Sequence, residues 1–258
     1  MQLGRFARAR GVRLLSLGEV DSTNSESRRL IDSGERGPLW IVAERQTMGR
    51  GRLGRNWMSP PGNLYASFIY GDLHDVRVAP ELGFVAGVAA MRALRASAGS
   101  QSFKLKWPND LLLEGAKLGG ILLECVGPPA APVAIIGVGV NVVSAPEGLP
   151  YPARALADIG AGAPSASAFF AQLSDSLLEA LDIWRSGEGF AGIRTEWSAD
   201  AAAVGEEVRV ALNDETVVGR FDGVDQIGRL VLGTRHGRRV IEAGDVLLGP
   251  RATEGARQ

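Results

Sequence analysis

GRGRLGRNWMSPPGN, residues 49–63, is the stretch whose reading sets the fold. Its first six letters match GxGxxG. A dinucleotide-binding fold needs a helix to open directly from those glycines, so that the helix N-terminus faces a pyrophosphate. Here Pro60, Pro61 and Gly62 follow and stop a helix from running on. No Gly-Lys-Ser/Thr follows either, which removes a Walker A loop. What remains is a glycine-hinged loop carrying Arg50, Arg52 and Arg55, with Arg45 just ahead and no Asp or Glu between Arg45 and Gly71. Three readings fit such a loop: a solvated structural loop, an Arg/Gly arm for nucleic acid, and a flexible anion clamp. In the last, glycines let the backbone approach a phosphate or carboxylate, and guanidinium forks neutralise its charge. A clamp suits a reaction between two anions, such as a carboxylate and a nucleotide triphosphate.

The flanks read as strands. LWIVAERQ, from Leu39, enters the loop and NLYASFIYG, from Asn63, leaves it. PELGFVAGVAAMRALRAS, from Pro80, predicts a long helix with proline near its first turn. SFKLKWPNDLLLEGAKLGGILLECV predicts strands around a turn near Gly115, and VAIIGVGVNVV, from Val133, a strand paired with them. The Pro-, Ala- and Gly-rich stretch 144–164 predicts a long loop with a short helix. SASAFFAQLSDSLLEALDIWRSG, from Ser165, sets Phe169, Leu173, Leu177, Leu181 and Trp184 on one helical face. Locally, Asp21-Ser22-Thr23-Asn24 reads as a helix cap, with Gly34 as the stop. Beyond Ala203 come short β segments separated by Asn-Asp, Gln-Ile-Gly and His-Gly turns, which predict a small β-barrel. The expected division is therefore 1–203 and 204–258, with a disordered tail from about residue 250.

The chain has 258 residues, room for one large domain or one large and one small. Its net charge of −1 supplies no global basic field for nucleic acid or membrane, so neither is expected as a partner. No apolar run reaches membrane-spanning length, and the first residues lack the features of a signal peptide. The single cysteine, Cys125, excludes an internal disulfide and fits a reducing cytoplasm; within GILLECV it reads as a buried structural thiol. The two histidines, His74 and His236, lie far apart, and there is no HExxH, GxSxG or paired-Cys motif. Zinc hydrolysis and Ser-His-Asp acyl transfer are thereby disfavoured, and no protein metal site is expected.

DSTN, ERQTMGRGRLGRNWMSPPGNLY, KWPNDLLLEGAKLGGILLE and IIGVGVNV, in that order and at these spacings, resemble the biotin protein ligases. The resemblance runs from about residue 15 to 250 and implies an α/β (α+β) catalytic domain, a mixed β-sheet with helices packed on one side, followed by an SH3-like β-barrel. It implies a two-step reaction. Biotin and ATP, with Mg²⁺, form biotinyl-5′-AMP and pyrophosphate; the biotinyl group then passes to a lysine of a biotin carboxyl carrier protein. Residue by residue, it implies biotin contacts at Ser22, Thr23, Asn24, Gln46, Gly49, Arg50, Gly51, Arg52, Lys117 and Gly120. It implies nucleotide contacts at Arg52, Trp57, Asn109, Lys117 and Asn141, and catalytic roles for Arg50, Arg52, Lys117 and Asp110. Asp110 would orient or deprotonate the acceptor lysine, although a tight hairpin around Gly115 would hold it roughly 13 Å from Lys117 along the strands, at a different end of the substrate. About twenty residues precede Asp21, too few for the three-helix DNA-binding module that some members carry; a monomer or weak homodimer without a repressor role is expected. The alternatives are a lipoate–protein ligase or octanoyl transferase of the same fold, and a non-catalytic biotin-binding regulator.

Overall fold

The computed structural model describes residues 1–99, 101–212 and 215–248. The Asn-Asp turn at 213–214 and the tail from about residue 250 lie outside the described residues. A short helix α1 (Arg5–Ala9) leads into β1 (Arg13–Val20), α2 (Thr23–Asp32), β2 (Leu39–Gln46) and β3 (Leu64–Tyr70). Then follow α3 (Glu81–Ala98), β4 (Phe103–Lys106), β5 (Asp110–Leu113), β6 (Ala116–Val126), β7 (Val133–Val140), α4 (Ala166–Trp184) and α5 (Phe190–Ala199). Seven strands form one sheet in the order β1-β2-β3-β7-β6-β5-β4. Only the β1–β2 pair is parallel, so the sheet is mixed.

Successive strand residues face opposite sides of a sheet, and β2 shows how the sides differ. Trp40 and Val42 join the main core beneath α3 and α4. Trp40 packs at a tilt against Phe68, with ring centroids 5.0 Å apart, and meets Phe170 edge-on at 5.3 Å. The five apolar residues predicted for one face of α4 are all buried there. Leu39 and Ile41 face the other way, into a smaller cluster with Ile69, Val133 and the α2 residues Leu30 and Ile31. The helices are therefore not confined to one side: α2 lies on the face opposite α3 and α4. That second face carries Tyr65 and Ser67 of β3, Gly137 and Gly139 of β7, Gly120 and Leu122 of β6, and Asp110 of β5. It is where the cavity lies.

The second sheet is antiparallel: β8 (Glu207–Ala211), β9 (Thr216–Val224), β10 (Leu230–Thr234), β11 (Gly237–Ile241) and β12 (Asp245–Leu247), in the order β11-β10-β9-β8-β12. It docks on the first through Trp107, whose Nε1 donates to the Gly228 carbonyl at 3.0 Å. Gly228 has φ +85°, and a Cβ there would stand 2.6 Å from the Phe84 ring. That close approach sets β8 and β12 beside the cavity. No described helix is long and apolar enough to cross a membrane.

Cys125 is exposed rather than buried. The reason is the sheet edge. β5 ends its pairing at Asp110–Gly120, whereas β6 continues to Val126 with β7 alone on its other side. The apolar letters of GILLECV therefore belong to a strand that is half open, not to a strand in the middle of the sheet.

Candidate active site

A cavity of about 660 Å³ lies on the α2 face of the large sheet, with β8 and β12 at its side. One end is polar and buried. Ser22, Thr23 and Asn24 are each less than 5% exposed. Ser22 occupies the N-cap position of α2, yet its hydroxyl makes no capping bond; the side chains of this first turn turn inward instead. Gln46, at the end of β2, accepts from the Thr23 N–H at 2.8 Å and from Thr23 Oγ1 at 3.1 Å, and its Nε2 donates to Ser59 Oγ at 3.0 Å. The buried Ser67 Oγ lies 2.7 Å from Thr23 Oγ1 and 2.6 Å from Asn24 Oδ1. Asn24 Nδ2 donates to Glu124 at 2.7 Å. Glycine at 137 is required here, because a Cβ would stand 2.3 Å from Asn24 Oδ1.

The arginine stretch folds as a narrow hairpin. Trp57 N donates to the Gly49 carbonyl at 2.9 Å, Gly51 N donates to the Arg55 carbonyl at 2.7 Å, and Arg52–Gly54 make a 3₁₀ turn. The acids absent from the local sequence arrive from afar. Arg45 meets Glu19 at 3.1 Å, Arg50 lies 3.6 Å from Glu124, and Arg52 lies 3.3 Å from Asp245. Arg55 pairs with the same Asp245 carboxylate. Arg52 also reaches Asn109 Oδ1 at 3.4 Å and the Gly244 carbonyl at 3.3 Å. The cluster is thus not uncompensated, and its tip is tied to the second sheet.

The cationic floor comes from the β4–β5–β6 hairpins. Asp110 is 7% exposed, and its two oxygens lie 2.7 Å from Lys106 Nζ and 2.7 Å from Lys117 Nζ. Burial pushes the Asp110 carboxyl up, but the charges and hydrogen bonds of the two lysines outweigh burial and hold it below the ordinary carboxylate range. The separation expected from the hairpin is therefore corrected. Asp110 pairs across the strands with Gly120, the register shifts between Leu111 and Leu112, and the long Lys117 side chain spans the remaining diagonal. Lys117 Nζ also lies 5.7 Å from the Trp57 ring and 5.4 Å from the Tyr151 ring. Trp57 packs against Gly139, where a Cβ would come within 2.8 Å of the indole, and its buried Nε1 has no hydrogen-bond partner.

Of the residues singled out in the sequence, Ser22, Thr23, Asn24, Gln46, Arg50, Gly51, Arg52, Trp57, Asn109, Asp110, Lys117 and Gly120 all line this one cavity. Two do not. Gly49 sits beneath the hairpin, where a Cβ would stand 2.5 Å from the Trp57 carbonyl oxygen. Asn141 is a strand-end brace: its Nδ2 donates to the Arg154 carbonyl at 3.1 Å, which holds the 152–156 segment beside β6. Lys106, Tyr151, Arg209 and Asp245 line the cavity without having been singled out. Lys106 stood in view inside KWPND, and the alternating glycines of IIGVGVNV carried a signal of their own. Two glycines spaced by two leave one strand face bare.

Two family models match the chain: the biotin/lipoate A/B protein ligase family over residues 18–141 and the biotin protein ligase C-terminal domain over residues 203–249. A biotin–[acetyl-CoA-carboxylase] ligase of Paracoccus denitrificans is 35% identical over 239 residues, covering 90% of this chain and 99% of that one. A ligase of the same name from Mycobacterium tuberculosis is 32% identical over 237 residues, covering 90% of this chain and 87% of its own length. The structure of the Aquifex aeolicus biotin protein ligase in complex with biotin and ATP superposes with a TM-score of 0.78 at 29% identity, over 91% of this chain and 97% of that one. The chain belongs to the biotin/lipoate A/B protein ligase family and, within it, to the biotin protein ligases.

Proposed function

We infer that this chain is an ATP-dependent biotin–protein ligase, which forms biotinyl-5′-AMP and transfers the biotinyl group to a lysine of a carboxylase's carrier protein. The observation that supports it most strongly is a single cavity joining a buried polar end to a cationic floor. Ser22, Thr23, Asn24 and Gln46 offer both donors and acceptors, as a neutral polar ring requires. Lys117, Arg50 and Arg52 border the other end, where a carboxylate and an α-phosphate would meet. In the first step a carboxylate oxygen attacks the α-phosphorus and pyrophosphate leaves. Fixed cations aimed at the charge that develops lower this barrier without a titrating base. Trp57, beside Lys117, supplies a flat apolar wall for the adenine, and Asn109 holds Arg52 in place.

In the second step the acceptor lysine, as its neutral amine, attacks the acyl carbonyl carbon; the acyl C–O bond to the phosphate breaks, AMP departs, and the amide nitrogen gives up its proton to solvent. Asp110, held ionised by two lysines, is a poor base for an ammonium proton; its role is to aim Lys117, not to deprotonate the acceptor. Mg²⁺ enters with the ATP. Both Asp110 oxygens face ammonium groups and Asp245 faces arginines, so these carboxylates are already committed; the ion would be carried on the ATP phosphates and would supply charge neutralisation there. The test is transfer of labelled biotin to a carboxyl carrier domain by the wild-type chain and by Lys117→Ala. Wild-type labelling that the variant loses at least a hundredfold (about 2.7 kcal/mol) is expected; equal labelling by both would overturn the assignment of Lys117.

A further inference from the structure

Glu124 is the one carboxylate on β6 that faces the cavity side of the sheet, in register with Ile135 and beyond the last residue that β5 pairs. A glutamate on a half-open strand has water within reach. This one spends its two oxygens on functional side chains instead. Oε2 accepts from Asn24 Nδ2 at 2.7 Å, and Oε1 lies 3.6 Å from Arg50 Nη2. Asn24 belongs to the polar end of the cavity, and Arg50 begins the arginine hairpin, bridged there to Asn56.

The other leg of the hairpin is tied to the same polar end by a different route. Ser59 Oγ donates to the Trp57 carbonyl at 3.0 Å and accepts from Gln46, which in turn accepts from Thr23. Thr23 and Asn24 share the Ser67 hydroxyl. One hydrogen-bonded chain therefore runs from the Trp57 carbonyl to Glu124 and closes on Arg50. Both legs of the hairpin hang from the side chains that form the polar end.

Building on the ligase reading, we propose that Glu124 is a positioning residue that couples occupancy of the Asn24 end to placement of Arg50. A ligand that fixes the Asn24 amide fixes Glu124, and Glu124 then holds Arg50 over the cavity. The two oxygens can be separated experimentally. Glu124→Gln keeps an acceptor for Asn24 but presents an amide to Arg50, so only the ionic contact is lost. Glu124→Ala loses both contacts.

The experiment measures biotin affinity by calorimetry and the rate at which preformed biotinyl-adenylate escapes from the protein. For Glu124→Gln, biotin affinity is expected within twofold of wild type and adenylate escape about threefold faster, the size of a half-exposed ion pair. For Glu124→Ala, biotin affinity also falls about tenfold, as expected when a charge-assisted hydrogen bond is lost. Arg50→Ala should speed escape as Glu124→Gln does or more, and adding Glu124→Gln to it should cause no further change. Wild-type escape from Glu124→Gln, or effects that multiply in the double variant, would overturn the coupling. Those results leave the ligase reading intact. A wild-type chain that makes no adenylate would remove the ligase reading and the coupling together.

Discussion

Replacing Gly137 with alanine places a methyl group 2.3 Å from Asn24 Oδ1 and 3.1 Å from the Leu122 carbonyl oxygen. The strand cannot yield, because Gly137 is paired with Ser67 on one side and Leu122 on the other. Asn24 must therefore retreat by about 1 Å to reach an ordinary contact. That movement breaks its 2.6 Å bond to Ser67 and its 2.7 Å bond to Glu124. Losing one neutral and one charge-assisted hydrogen bond costs about 2–4 kcal/mol. The stiffer unfolded chain of an alanine variant returns about 0.5 kcal/mol. Urea unfolding followed by tryptophan fluorescence should show the midpoint falling by roughly 1 M. Calorimetry on the folded variant should show biotin affinity at least tenfold weaker, about 1.4 kcal/mol. A variant with the wild-type midpoint and wild-type biotin affinity would refute the claim that Asn24 is locked against this bare strand face.

Three further outcomes follow from the same geometry. Gly139→Ala meets the flat end of the Trp57 indole at 2.8 Å, not backbone, so the ring should tilt; steady-state kinetics should show a raised KM for ATP while biotin affinity and the unfolding midpoint stay near wild type. Asp110→Asn leaves Lys106 and Lys117 facing an uncharged group, so it should lose about 3 kcal/mol of stability and most of its adenylate formation, read by urea unfolding and pyrophosphate release. Because the folded Asp110 carboxyl is held low, its contribution is present above the unfolded-chain value of about 3.9 and is lost as pH falls through the folded value. The acid limb of stability against pH should therefore be shallower in Asp110→Asn, with a remainder from Asp21 and Glu35, both held at about 2 by arginine partners. Cys125 should react with a maleimide in the native protein, more slowly than a free thiol, since partial burial pushes its thiol up; no labelling without denaturant would contradict the open edge of β6.

Much of this was legible in the letters because local rules and tertiary structure agree there. Pro80 and Ser165 stand at the N-caps of α3 and α4, and the Ser165 hydroxyl accepts from Ala168 N–H. The turn near Gly115 is where it was expected, with Glu114 and Gly115 both at positive φ. What was not legible was long-range. No local rule brings Asp245 to Arg52, nearly two hundred residues earlier, or Glu124 to Asn24. The absence of acids around the arginines was a true statement about sequence and a misleading one about space. DSTN shows the converse: Ser22 stands at the N-cap but makes no capping bond, and the first helical N–H, that of Thr23, is met by Gln46 from β2. Asn141 sat in a motif that resembles the family, yet the structure spends its amide on the backbone.

The most direct measurement of the central claim is pyrophosphate release by the purified chain with ATP and Mg²⁺, supplied with either biotin or lipoate, with mass spectrometry for the acyl-adenylate. Biotin-dependent release with biotinyl-5′-AMP as the product is expected, and little release with lipoate. Lipoyl-adenylate in place of biotinyl-adenylate, or no adenylate from either acid, would contradict it.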